Sequence, residues 1–251
     1  MFQFPPQLNP DGTRPAFWLP DDMPYERWVK HIFDHRVYPD GERWWWREDD
    51  PDSTYEYWEP PNSVRAVEFM TRLFRNSAHI ATEYSRAQID QGLQLLIEEY
   101  VSFYLSRGDA EIEAMTPSAP WADRKACISA LFDFYRDLLA AAYGNDTAHN
   151  QSLPADRPNF ALYMWWDNIS CGSHGPDRHM VSALILEVFD RVLAEVKAEA
   201  CLESVLHGLN HHAVRYPDSV EPIIDRFLAR RKDISEPLRA YAQLARWGGA
   251  I

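Results

Sequence analysis

The chain is expected to be all-α: an antiparallel helical body followed by a stack of short helices, about seven to nine helices in all. Three observations predict this. Apolar residues recur at three- and four-residue spacing through most of the 251 positions, which puts them on one face of successive helices. No stretch alternates with period two convincingly enough for a sheet. A helical apolar pattern runs from Cys201 to Trp247, broken only at Tyr216-Pro217 and around Asp233, as expected of three short helices stacked to present a surface.

Residues 1–20 hold five prolines and read as an extended arm pinned to the body by Phe17 and Trp18. Asp22 is placed to cap a first helix with Pro24 in its first turn. Trp28, Ile32 and Phe33 follow at helical spacing until Tyr38-Pro39-Asp40-Gly41 turns the chain. Residues 40–60 combine Trp44, Trp45, Trp46, Tyr55, Tyr57 and Trp58 with eight acidic residues and two arginines. Such a segment is either a loop whose rings cover the bundle or an acidic, aromatic contact surface for a basic partner.

From Ser63 the residues Val64, Val67, Met70, Leu73 and Phe74 form one helix face. Ser85-Arg86-Ala87-Gln88 has the form of a capping box, opening a helix from Ile89 through Tyr104 that is expected to pair antiparallel with the preceding one. After a Pro-rich connection, Ile128, Leu131, Phe132, Tyr135, Leu138, Leu139 and Ala142 make a broad apolar stripe ending at Gly144, with Asp123 and Arg124 beginning the polar side. Periodicity weakens between Asn145 and Pro176, the best candidate for a boundary. Beyond it, Asp177 starts a helix through Met180, Leu184, Ile185, Val188, Phe189, Val192 and Leu193. The expected organisation is therefore an arm at 1–20, a helical body at 21–170 with the acidic Trp-rich loop at 40–60, and a helical stack at 171–251 packed on the body.

Composition excludes several classes of function. With 46% apolar residues and ten tryptophans the chain has the means to fold around a core. A formal charge of −13 repels nucleic acid and anionic lipid and suits a basic protein partner. Cys127, Cys171 and Cys201 are odd in number and lack the close pairs of a structural zinc site, so they are expected as small core residues in a reducing compartment, the cytoplasm. No signal peptide and no apolar run long enough to span a bilayer is visible. Neither a Walker loop nor a dinucleotide fingerprint occurs, and no cofactor is expected.

Glu195, Glu199, Glu203, His207 and His211 recur every fourth residue, so neighbouring members share a helix face. Three of them, Glu203, His207 and His211, have the one-turn spacing that lets imidazole and carboxylate meet one metal ion, and this mix suits zinc, iron or nickel. The alternative is a polar ridge between stacked helices. Asp167, after Tyr163-Met164-Trp165-Trp166, is either a carboxylate held at the end of an aromatic wall or a simple helix terminator. Cys171 with His174 and His179 offers a thiol–imidazole pairing without an identifiable oxyanion donor. The basic run Arg226, Arg230, Arg231 and Lys232 suits the C-terminal end of a helix dipole.

Two blocks, Tyr163 to Asp167 and Cys201 to Leu209 with Pro217 to Leu228 after it, resemble segments of uncharacterised bacterial all-helical proteins. The second block also resembles HEAT-type repeats, which implies a HEAT-like C-terminal stack and a bacterial origin, with no activity to carry over. The sequence thus points first to a noncatalytic binding module, most concretely a bacterial immunity-type protein neutralising a basic toxin or effector. Its expected contacts are Trp44, Trp45, Trp46, Asp49, Asp50 and Trp58. The alternatives are a metal-dependent or acid–base enzyme working around Glu203, His207, His211 and Asp167, and an adaptor in a larger assembly.

Overall fold

A computed structural model describes residues 8–46, 56–105, 118–149, 158–167 and 177–250. These are helical, and no strand occurs among them; an isolated parallel bridge pairs Trp18 with Tyr57. The N-terminal arm is held there by Leu19 N–H donating to Tyr57 O at 2.7 Å and by Trp58 Nε1 donating to Pro20 O at 3.1 Å.

The first half of the bundle comprises α1 (Tyr25–Phe33), α2 (Ser63–Arg75), the single turn α3 (Ile80–Glu83) and α4 (Arg86–Leu95). Asn62 caps α2 by accepting Arg65 N–H at 2.9 Å. Ser85 and Gln88 form the reciprocal capping box at the start of α4. A π-helical stretch, Leu96–Val101, continues α4 into α5 (Ser102–Tyr104). Likewise α6 (Trp121–Phe134) runs through π-helical Tyr135–Leu139 into α7 (Ala140–Tyr143), which ends where Gly144 takes the left-handed side at φ 54°. The main neighbour of α2 is α6, and α4 packs on α1. Of the helix expected from Ser85 to Tyr104, its end at α5 touches α2, while these two pairings take the place of the remainder of the expected antiparallel contact.

After the short α8 (Phe160–Tyr163), a further helical turn covers 165–167. Then follow α9 (Arg178–Glu195), α10 (Glu199–Ala213), α11 (Pro217–Arg230) and α12 (Glu236–Ala245), with the breaks before Pro217 and around Asp233 where the sequence places them and a further one at 196–198. Thirteen of the fifteen residues of α10 are buried, because α7, α8, α9, α11 and α12 all pack around it. Polar residues on such a helix end up inside and need partners there. No helix among the described residues is long and apolar enough to cross a membrane.

The aromatic loop is where the expected contact surface changes most. Trp44, Trp45 and Trp58 have relative exposures of 0%, 2% and 3%, so these three are core side chains and not surface anchors. The reason is packing. Trp44 stacks on His35 at 3.5 Å between centroids, Trp58 lies on Phe69 at 5.6 Å, and Trp45 donates to Glu98. Trp46 alone of the four is exposed, at 44%. Asp49 and Asp50 lie outside the described residues, as do Cys171 and His174. Arg124 is buried as well: it donates to Asp177 at 2.8 Å and to Leu105 O at 3.1 Å, which ties α6 to the start of α9.

Candidate metal centre

Placement of the polar residues on α10 follows from one close helix approach. Trp165 and Trp166 are fully buried. The ring of Trp166 stacks on Tyr135 and meets Phe189 edge-on at 4.5 Å. It also lies directly over Gly208, where a Cβ would stand 2.9 Å from the indole Cγ and 2.5 Å from Phe189 Cζ. One turn away, Ser204 Oγ donates to Leu162 O at 2.6 Å and receives the Tyr135 hydroxyl at 2.8 Å. These contacts fix the helical residues 165–167 against α10 and bring Asp167 to the histidines.

Asp167 Oδ1 lies 2.8 Å from His207 Nε2 and 3.1 Å from His211 Nε2, and the two Nε2 atoms are 3.1 Å apart. The three atoms make a nearly equilateral triangle. Ligand atoms about 2.1 Å from a metal and about 90° apart stand about 3 Å from one another, against about 3.4 Å in a tetrahedron. With Asp167 ionised, no placement of the ring protons makes all three edges hydrogen bonds. If both Nε2 atoms carry hydrogen, they bond the carboxylate but face each other as two donors. If one is bare, its lone pair faces the carboxylate oxygen. With both Nε2 atoms bare, a cation at the centre would satisfy all three lone pairs at once.

Burial pushes the Asp167 carboxyl up, but the hydrogen bonds and charge of His207 and His211 outweigh this and hold it well below the usual carboxylate range. It is therefore an anion at neutral pH. Behind the triangle, His207 Nδ1 is 3.0 Å from the Tyr241 hydroxyl on α12, which is 3.0 Å from the hydroxyl of Tyr163. Burial raises both phenols above their ordinary range, so both remain protonated. Two tautomers of His207 are compatible with these contacts: one donates Nε2–H to Asp167, and the other donates Nδ1–H to Tyr241 and directs its Nε2 lone pair at the centre, the form a bound ion would select. On the other side, the side chains of Asp167 and His211 are 26% and 30% exposed, so the triangle opens to solvent.

Glu203, expected as the carboxylate ligand, is directed elsewhere. It is 3% exposed, accepts the backbone N–H groups of Ala148 and His149, and pairs with His149 Nδ1 at 2.6 Å. Glu203 thus anchors the turn after α7, and Asp167 takes its place beside His207 and His211. The separation in sequence explains the difference: Asp167 and Tyr241 reach His207 from forty residues before and thirty-four after, distances at which spacing carries no signal. The imidazole of His149 packs on the rings of Tyr163 and Tyr241 at 5.2 and 4.8 Å, giving the phenol pair a second aromatic support. His179 stands apart, 3.4 Å from the Tyr216 hydroxyl.

A second group of possible ligands, His31, His35 and Glu56, lies beneath the aromatic loop. It is less suited to an ion. His35 Nε2 is already engaged with His31 O at 2.9 Å, His31 Nδ1 is 3.7 Å from Glu56, and the guanidinium of Arg27 pairs with the same carboxylate. The chain matches no family model, no curated protein and no solved structure.

Proposed function

We propose that the protein binds one divalent transition-metal ion at Asp167, His207 and His211, and that the open side of this centre admits water or a substrate atom. The supporting observation is the triangle of about 3 Å edges whose contacts, with Asp167 ionised, cannot all be hydrogen bonds. Two imidazoles and one carboxylate on one face suit zinc, iron(II), nickel or manganese and leave positions free for chemistry. A metal held this way supplies a Lewis acid and an acidified water, so metal-assisted hydrolysis or hydration is the activity class proposed. Glu203 and His149 then serve as support behind Tyr163 and Tyr241, outside the ligand set.

Metal content per chain tests this, measured by plasma mass spectrometry after chelation and reloading. One equivalent is expected in the parent and in Glu203→Gln, with retention lost in Asp167→Ala and His207→Ala. No retention by the folded parent, or full retention by both ligand variants, contradicts the proposal.

The binding-module reading, including immunity against a basic toxin or effector, and the adaptor reading retain the net charge of −13 as support. With Trp44, Trp45 and Trp58 in the core, Trp46 is the one expected contact left exposed among the described residues, and for that reason these readings rank below the metal centre. The HEAT-like character of residues 171–251 also stands as a proposal. Its support is the succession of α9 to α12, in which consecutive helices and next neighbours touch.

A further inference from the structure

A cleft of 340 Å³ separates the segment after the aromatic loop from the π-helical turn, on different elements from the metal centre. Its walls are the rings of Tyr57, Trp58, Phe103 and Tyr104, and its polar lining includes Glu98 and Glu99, with Glu59 at the same cleft. Among the described residues no Lys or Arg lines it. The π-helical stretch Leu96–Val101 brings Glu98 and Glu99 to one side: with more residues per turn than an α-helix, it rotates successive side chains less. The extra residue is accommodated by Ser102 Oγ donating to Ile97 O at 2.6 Å.

The two carboxylates differ. Glu98 is occupied, accepting Gln94 Nε2 at 2.8 Å and Trp45 Nε1 at 3.3 Å. Glu99 is partly buried and makes no hydrogen bond or ion pair among the described residues. Burial, and after it the charge of the neighbouring Glu98, push its carboxyl up to about 7, and no cationic side chain among the described residues of the cleft offsets the two carboxylates. Aromatic faces attract a cation through the ring quadrupole and pack against methyl or methylene groups. A hydrated inorganic ion gains nothing from such walls, since rings offer no lone pairs to replace its water. Both the size and the lining fall in the range of small-molecule sites.

We propose that this cleft binds a small organic ammonium ion, with Glu99 as its counter-charge and the rings of Tyr57, Trp58, Phe103 and Tyr104 as its apolar walls.

Calorimetric titration with tetramethylammonium chloride, and in parallel with butylammonium chloride, tests this against sodium chloride at equal ionic strength. Saturable one-site binding is expected for at least one ammonium probe and not for sodium. Affinity should be about tenfold weaker in Glu99→Gln, the change worth one lost ion contact, and also weaker in Phe103→Ala at the cleft rim. Phe103 is 36% exposed, so that second variant keeps the core intact. The absence of saturable binding by either probe overturns the proposal. So does equal binding of sodium, or an affinity unchanged in both variants.

Discussion

The hydroxyl of Tyr241 stands 3.0 Å from Nδ1 of His207, on the side of the ring away from Asp167. A phenol in this place can accept Nδ1–H from His207, and in that arrangement Nε2 is the nitrogen free to bind an ion. Tyr241→Phe should weaken metal binding by about 10- to 100-fold, as loss of such an outer partner does elsewhere. The loss of one hydrogen bond costs stability only about 1 kcal/mol. Competition with a chromogenic chelator measures the first quantity and urea unfolding the second. Equal metal affinity in parent and variant shows that the hydroxyl does not orient His207.

Gly208 is required by the approach of α10 to Trp166. In Gly208→Ala the new methyl meets Phe189 at 2.5 Å and Trp166 at 2.9 Å, and both rings are fully buried. Overpacking of this kind costs about 1–3 kcal/mol. The displaced Trp166 immediately precedes Asp167, so metal affinity should fall together with stability. Thermal unfolding of the metal-free variant, paired with a metal titration below its transition, separates the two effects.

The buried rings of the acidic loop predict a stability phenotype. Trp44→Ala removes a fully buried indole and should destabilise the fold by about 3–5 kcal/mol. Trp46→Ala, at a ring that is 44% exposed, should change it by no more than about 0.5 kcal/mol. Chemical denaturation of both variants checks the contrast. Similar small effects from the two substitutions place Trp44 on the surface after all.

Acid should weaken the same region. Burial, then the neighbouring His31, pushes His35 down to about 3 from the ordinary imidazole value, and its ring is stacked on Trp44. The folded chain therefore holds His35 neutral, while the unfolded chain takes up a proton below about pH 6.5. Its contribution to stability is fully present above that pH and is lost as pH falls from about 6.5 toward 3. Unfolding free energy measured across this window should drop less steeply in His35→Gln than in the parent. Identical slopes sink the assignment.

Helix existence and most helix ends were legible in the sequence because they depend on local chemistry. The Ser85–Gln88 box, Gly144 after α7 and the breaks at Tyr216-Pro217 and Asp233 all act within a turn or two of themselves. Both π-helical stretches were not legible, since one extra residue in a turn scarcely disturbs an apolar stripe already as broad as Ile128 to Ala142. Arg124 reads as a polar-face residue until Asp177, fifty-three positions on, is seen to bury it. At the candidate centre, His207 and His211 were visible from their one-turn spacing. The choice of carboxylate was not: Glu203 has the right helical phase, but the backbone N–H groups of Ala148 and His149 claim it. The inward position of Trp44, Trp45 and Trp58 depends on neighbours such as His35, Phe69 and Glu98, and residue composition alone allows either side.

The most direct test of the metal centre is anomalous diffraction from crystals of the metal-loaded protein, recorded at the absorption edge of the ion. The expected result is one strong peak about 2.1 Å from Asp167 Oδ1, His207 Nε2 and His211 Nε2. No peak between these three atoms in crystals of stoichiometrically loaded protein, or a peak at Glu203 and His149 in its place, contradicts the account.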